Sequence, residues 1–338
     1  NQIEPIVKEM DKKSKYGKPS YFEVLLAATF LYFSQQKVDL GVIETGMGGK
    51  YDGTNVLKSA ISVITTIGLD HTNVLGKTKQ TILKDKMQII KNNTGSAITT
   101  IKQNYLLKII KNHCQIKKVP LSVYNEDFKT KNKYSDKKIS KFDFCFQDKI
   151  IKNIKLNLAG IYQIDNACAA IAACLKLSQI TKFKLTDQQI RKALSKAFFP
   201  GRMETISQNP LIILDGAHNE DKMKALMKSI KQLYPKQKFL IIFGVKKDKK
   251  AEKMLLMLRK VSSQFILTQF GRITDLGSHL NFPVEELFKI AKKIMPKAEL
   301  TIEGNSYNAD LYRMLLEGGR KIGILLTGSL YLVGEARQ

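Results

Sequence analysis

The 338-residue chain reads as an α/β protein with parallel, doubly wound sheets, on three observations. Beyond Pro200, apolar runs at 211–214, 239–243, 265–267, 300–302 and 322–326 alternate with helix-period segments at 221–233, 249–261, 284–294 and 309–317, the pattern of strand–helix–strand crossover units. Nearer the N-terminus, two apolar runs, 40–43 and 61–67, each end on a polar residue, Glu44 and His71. Buried strands of a parallel sheet end in this way, because ligands sit past their carboxyl ends. Between these regions, Pro200-Gly201 is a turn signal that divides the chain into expected domains 1–198 and 199–338.

Residues 1–18 are polar and Lys-rich, the tail of a helix and a loop. Tyr21–Gln35 reads as a helix, with Phe22, Leu25, Leu26, Thr29, Phe30 and Phe33 at helical spacing. Ser20 followed by Glu23 forms a capping box at its start. Gly46, Gly48 and Gly49 let the backbone turn tightly near a bulky anionic ligand. Glu44 and His71, a carboxylate and an imidazole at neighbouring strand ends, can converge on one metal ion. Residues 72–78 read as a loop and 79–91 as a helix, followed by strands at 97–101 and 119–123 around a helix at 105–112. Phe142, Phe144 and Phe146 repeat with period two inside the Lys-rich segment 125–155, which predicts antiparallel strands. An Ala-rich helix then runs to Leu177, and another covers 186–197.

Composition narrows the function. Apolar residues at 43% and this length support two sizeable cores. No apolar run reaches the ~18 residues of a membrane span, and the N-terminus lacks a signal-peptide layout. The four cysteines, Cys114, Cys145, Cys168 and Cys174, form no Cys-x-x-Cys pair. That argues against a zinc site and for a reducing, cytoplasmic setting, with Cys168 and Cys174 as core residues. The formal charge is +26, but the excess is nearly all Lys spread along the chain, with no aromatic-interleaved basic stripe. A solvated surface with a mild attraction for anionic small molecules fits better than nucleic-acid binding. A monomer is expected.

Glu44 to Asn55 reads Glu-Thr-Gly-Met-Gly-Gly-Lys-Tyr-Asp-Gly-Thr-Asn, and Ile67 to His71 reads Ile-Gly-Leu-Asp-His. These segments resemble the Glu-x-Gly-x-Gly-Gly-x-x-Asp-x-Thr-Asn and Ile-Gly-x-Asp-His motifs of the folylpolyglutamate synthases and dihydrofolate synthases, members of the Mur ligase superfamily. Further matches follow in order. Phe22-Glu23 is similar to the family's Phe-Glu-x-x-Thr, without its Thr. Asp85-Lys86-Met87-Gln88-Ile89-Ile90-Lys91 is similar to Glu-Lys-Ala-Gly-Ile-x-Lys. Gly160-Ile161-Tyr162-Gln163-Ile164-Asp165-Asn166-Ala167 is similar to Gly-x-His-Gln-x-x-Asn-Ala, with Tyr162 in place of the His. Pro200-Gly201-Arg202 and Asp215-Gly216-Ala217-His218-Asn219 match outright, and Gly328-Ser329-Leu330-Tyr331 fits a later strand end.

The resemblance implies a Mur-ligase-like, P-loop NTPase-like ATP-binding domain followed by a Rossmann-like C-terminal domain. It implies ATP-dependent joining of glutamate to a pteroate or folate carboxyl group through an acyl phosphate. Glu44 and His71 would hold one metal ion, Mg2+, and a carbamylated Lys86 would help hold another, with a monovalent cation such as K+ as a further cofactor. Asn166, Arg202 and Asp215 would bind ATP. Phe22, Glu23, Asp52, Thr54, His218 and Ser329 would contact the other substrates. His71, Lys86 and His218 would be catalytic. Taken by themselves, Lys86 reads as a surface lysine, Asn166 as a helix N-terminal residue, and Glu23 as a cap. The family's first strand and its Gly-x-x-Gly-Lys-Ser phosphate loop have no counterpart in these residues. About fifty family residues are therefore expected to be missing at the N-terminus, and the fragment is expected not to be competent alone. Another Mur-superfamily amino-acid ligase and a non-catalytic binding descendant are the alternatives.

Overall fold

A computed structural model describes residues 2–270, 281–304 and 322–337. Helix α1 (Glu4–Lys13) opens with Pro5 in its first turn, where a missing N–H costs nothing. Helix α2 (Tyr21–Gln35) starts on the expected capping box. The Ser20 hydroxyl accepts the Glu23 N–H at 3.3 Å, and the Glu23 carboxylate accepts the Ser20 N–H at 2.8 Å. Such a cap stabilises a helix by about 1 kcal/mol. Neither helix contains a fully buried residue.

The expected strand at 40–43 does not form. The backbone there has no regular structure, and Val42 is 98% exposed. A strand needs a neighbour for its backbone ladder. Among the described residues, β1 (Ile61–Ile64) pairs only with β2 (Ser96–Thr99), so the run at 40–43 has no ladder to join. Sheet β1-β2-β3, completed by β3 (Leu121–Val123), is parallel. A short helix, α3 (Thr72–Leu75), lies within the expected loop. Helix α4 (Lys79–Lys86) is shorter than the expected 79–91 and passes into a tight turn at Met87–Ile89. With α5 (Asn104–Lys117) it buries Ile82, Leu83, Leu106 and Ile110 against the parallel sheet.

Strands β4 (Phe128–Ser135), β5 (Ser140–Phe146) and β6 (Lys149–Leu156) form an antiparallel sheet. The period-two face predicted from Phe142, Phe144 and Phe146 is its buried face, packed on α6 (Ile161–Ile180). Each such ring contributes about 1.5–3 kcal/mol by leaving water. On α6, Cys168 is buried and Cys174 half-buried. Helix α7 (Asp187–Ser195) opens on another capping box, Thr186 with Gln189.

Beyond Pro200 come β7 (Glu204–Gln208), β8 (Leu211–Asp215), α8 (Glu220–Leu233), β9 (Phe239–Phe243), α9 (Ala251–Leu258), β10 (Gln264–Thr268), α10 (Val284–Ile294), β11 (Glu299–Glu303), β12 (Gly323–Thr327) and α11 (Leu330–Ala336). The sheet order is β11-β10-β9-β12-β8-β7, parallel except for the edge strand β7. Strand β7 escapes a sequence reading because Glu-Thr-Ile-Ser-Gln has little apolar content, as a half-exposed edge allows. The helix expected at 309–317 lies outside the described residues. Strand β12 returns between β8 and β9, so the carboxyl ends of these three strands flank the point where the strand order reverses, the usual ligand crevice of such sheets. Gly328 follows β12 at φ +112°, and a side chain there would meet the Gly244 carbonyl beyond β9.

Candidate active site at the domain interface

The loop after β1 meets the carboxyl ends of β8 and β9, and Asp70 is the point of contact. Its carboxylate accepts from Lys249 Nζ at 2.7 Å and from Asn219 Nδ2 at 2.9 Å, both in the C-terminal domain. It also accepts the neighbouring His71 N–H at 3.0 Å. Burial pushes the Asp70 carboxyl up, but the Lys249 and Asn219 bonds outweigh it and hold it well below the usual carboxylate range. Lys249 is raised: burial alone would lower it, and its bond to Asp70 reverses that. A second contact runs from Lys79 Nζ to Asp221 at 3.2 Å. Gly68 fits beneath Asp221 because a Cβ there would lie 2.6 Å from a carboxylate oxygen. Neither Asp70 nor Lys249 was singled out from sequence as a functional residue. A carboxylate directly before His71 was the available signal; its partner lies 179 residues away, where no spacing rule reaches.

His71 takes the left-handed backbone conformation at φ +49°, uncommon for a residue other than Gly. Desolvation, opposed by Asp70, lowers its imidazole pKa, and Lys249 and Lys86 add to the lowering. Lys86 is half-buried at the end of α4. The glycine loop lies on that helix end. At Gly49, a Cβ would stand 2.6 Å from the Lys86 carbonyl oxygen, and Gly48, at φ +70°, packs on Asp85. The paired glycines thus let the loop touch the backbone that carries Lys86. Glu44 is exposed in the irregular segment before this loop. Asp52 accepts the Met47 N–H at 2.7 Å and the Thr54 N–H at 3.0 Å and hydroxyl at 2.6 Å, tying the loop into one turn. The Phe22 ring covers Gly46. Glu23 is engaged in the α2 cap, and bonds from Ser20 lower its pKa.

Across the interface, Asp215 ends β8 at 3% exposure. Its oxygens accept the Met203 N–H and the Ala217 N–H, each at 2.9 Å, and Tyr162 OH of α6 approaches at 3.5 Å. Burial raises this carboxyl to about 6 against the lowering effect of those bonds and of Arg202. The carboxylate therefore braces the turn that presents Arg202, which a Gly216 N–H bond to the Gly201 carbonyl also fixes, at 2.8 Å. The Arg202 guanidinium stacks over Phe199 at 5.4 Å. Asn166 is exposed on α6 and donates to Gln163 at 2.9 Å. Ser329 caps α11, accepting the Tyr331 N–H at 3.1 Å. His218 lies 3.7 Å from Asp70, and burial first, then Lys222, pushes its imidazole down to about 4.

No group of three or more His, Cys, Asp or Glu side chains that could hold a metal occurs among the described residues. These side chains do not by themselves form a complete metal cage. No described helix is long and apolar enough to cross a membrane.

A parallel-sheet domain and a Rossmann-like domain meeting over cationic and imidazole side chains define a Mur-type ligase architecture. The Mur ligase middle domain family matches residues 7–174, and the dihydrofolate synthetase C-terminal domain family matches residues 202–337. The dihydrofolate synthase/folylpolyglutamate synthase of Bacillus subtilis is 31% identical over 342 residues, spanning 100% of this chain and 76% of the relative. The Mycobacterium tuberculosis folylpolyglutamate synthase complexed with ADP superposes with a TM-score of 0.87 at 25% identity, covering 99% of this chain and 76% of that one. A folylpolyglutamate synthase complex with AMPPCP and folate gives 0.78 at 28% identity, over 99% and 74%. The chain belongs to the dihydrofolate synthase/folylpolyglutamate synthase family.

Proposed function

We propose that this chain forms the body of a ligase that joins L-glutamate to dihydropteroate, to tetrahydrofolate polyglutamates, or to both, using ATP. The observation that carries the reading is the junction at Asp70, where the loop bearing His71 is held against the strand ends bearing His218, Asn219 and Lys249. A cleft between domains is a common ligand site. Here one wall brings the glycine loop and the other brings fixed positive charge.

In this reading the acceptor carboxylate takes the γ-phosphoryl group of ATP, ADP leaves, and the glutamate amine displaces phosphate from the acyl phosphate. Arg202, held by the Asp215-braced turn, offers a guanidinium fork to phosphate oxygens. Asn166 would flank the nucleotide, and Asp215 would act on it through the turn that presents Arg202. Phe22, Glu23, Asp52 and Thr54 shape the acceptor side, and His218 and Ser329 the glutamate side. A magnesium ion bound with the nucleotide would neutralise charge on the transferring group. Glu44 and His71 would be protein ligands of one ion and a Lys86 carbamate would help hold another, with further oxygens needed from outside these side chains. The division of labour follows proposed domains 1–198 and 199–338.

The test is glutamylation followed by mass spectrometry, with ATP, glutamate and either dihydropteroate or tetrahydrofolate. Product that requires all three substrates supports the reading. Product formed with another amino acid but not with glutamate would replace it with a different Mur-type ligation.

A further inference from the structure

The His218 ring is fixed at both nitrogens. Its Nδ1 lies 2.9 Å from the Gly216 carbonyl oxygen. A carbonyl only accepts, so Nδ1 carries the proton. Its Nε2 lies 2.9 Å from Lys222 Nζ. An ammonium only donates, so Nε2 presents its lone pair. Lys222 reaches this place because Asn219 caps α8, accepting the Lys222 N–H at 3.0 Å. A doubly protonated ring would set two cations against each other at that distance. The other charged groups facing the ring are Asp70, 3.7 Å from Nε2, and Lys249. Asp70 favours a charged ring, but its oxygens already serve Lys249 and Asn219.

We propose that Lys222 is a positioning residue: it holds His218 as a neutral acceptor, so that His218 receives the amino group of the incoming amino acid and neither of its carboxylates. The amino-acid part rests on the ligase reading above; the tautomer does not. An amino-acid ammonium can take over the place of the Lys222 ammonium at Nε2 without any proton moving. A carboxylate there would face a lone pair. Burial and the Lys222 charge, which depress the His218 pKa, act in the same sense.

Lys222→Met and Lys222→Arg test this. Lys222 is exposed as a residue, so both variants keep the core, and a thermal melt checks that they do. Long-range proton–nitrogen correlation spectra report the tautomer and protonation of each imidazole. The chain has four histidines, and His218→Gln assigns the signal. The wild type and Lys222→Arg should show a neutral, Nδ1-protonated ring that titrates well below the ordinary range. In Lys222→Met the midpoint should rise by about one unit, since a neighbouring charge is lost, and the tautomers should mix. By titration calorimetry, Lys222→Met should weaken glutamate binding several-fold, leave ATP binding in place, and be rescued by Arg. A wild-type proton on Nε2, or unchanged spectra in Lys222→Met, overturns the proposal. Expected spectra with glutamate affinity unchanged in Lys222→Met overturn the amino-group assignment and leave the Lys222 hold on His218 established.

Discussion

Removing Asp70 should loosen the two domains, and the loss should couple to Lys249. The Asp70–Lys249 pair is 2.7 Å long with side chains 23% and 9% exposed, so solvent screens it only partly. A hydrogen bond to a charged group contributes about 1.5–3 kcal/mol. Asp70→Ala forfeits the bonds from both Lys249 and Asn219, and strands the Lys249 ammonium with only Asp248 at 3.0 Å. A loss of about 2–4 kcal/mol follows, discounted for the remaining exposure. The assay is urea unfolding of Asp70→Ala, Lys249→Met and the double variant. The cycle should return a coupling of about 1–2 kcal/mol, because residues in one ion-pair network do not add. Raised salt should change it little, since a mostly buried pair is poorly screened. The pH dependence has a definite sign. The Asp70 pKa is depressed in the folded state, so its contribution is present above the unfolded carboxylate value of about 3.9. It fades only as pH falls below that value towards the lower folded pKa. A coupling within about 0.3 kcal/mol of zero would refute a working latch.

Asp215 has the opposite sign. Its folded pKa is raised to about 6, so its favourable contribution is complete below about 3.9 and lost as pH rises through 6. Asp215→Asn should therefore flatten the stability profile across that window, read by urea unfolding at a series of pH values; an unchanged slope would count against a buried, ionising carboxyl. Tyr162→Phe removes the 3.5 Å contact and should cost about 1 kcal/mol or less, because the bond is long; calorimetry on the two proteins measures it. Gly49→Ala should destabilise by about 1–3 kcal/mol, since the new methyl meets the Lys86 backbone, which cannot yield as a flexible side chain would. A melt unchanged from wild type would contradict that packing.

What the sequence discloses is set by how local the cause is. The bounds of α2 follow from a cap and a spacing that occupy adjacent turns, and β9 and α10 fall at the predicted residues for similar reasons. The buried Phe142, Phe144 and Phe146 face needs only the alternation of a pleat. The run at 40–43 misleads because apolar content states a preference for burial without supplying a partner strand. The motif residues were legible as a group, yet their immediate tasks were not. Asp52 ties a turn, and Asp215 braces the Arg202 loop, because backbone donors converge on both carboxylates in the folded chain. The junction at Asp70 depends on the docking of two domains and has no local signature.

The most direct measurement of the central claim follows oxygen. Dihydropteroate carrying 18O in its carboxylate is incubated with ATP and glutamate, and the released phosphate is analysed by mass spectrometry. Ligation through an acyl phosphate passes one carboxylate oxygen to phosphate, so the account predicts 18O in the phosphate, dependent on glutamate and in step with glutamylated product. Glutamylated product accompanied by unlabelled phosphate would contradict it.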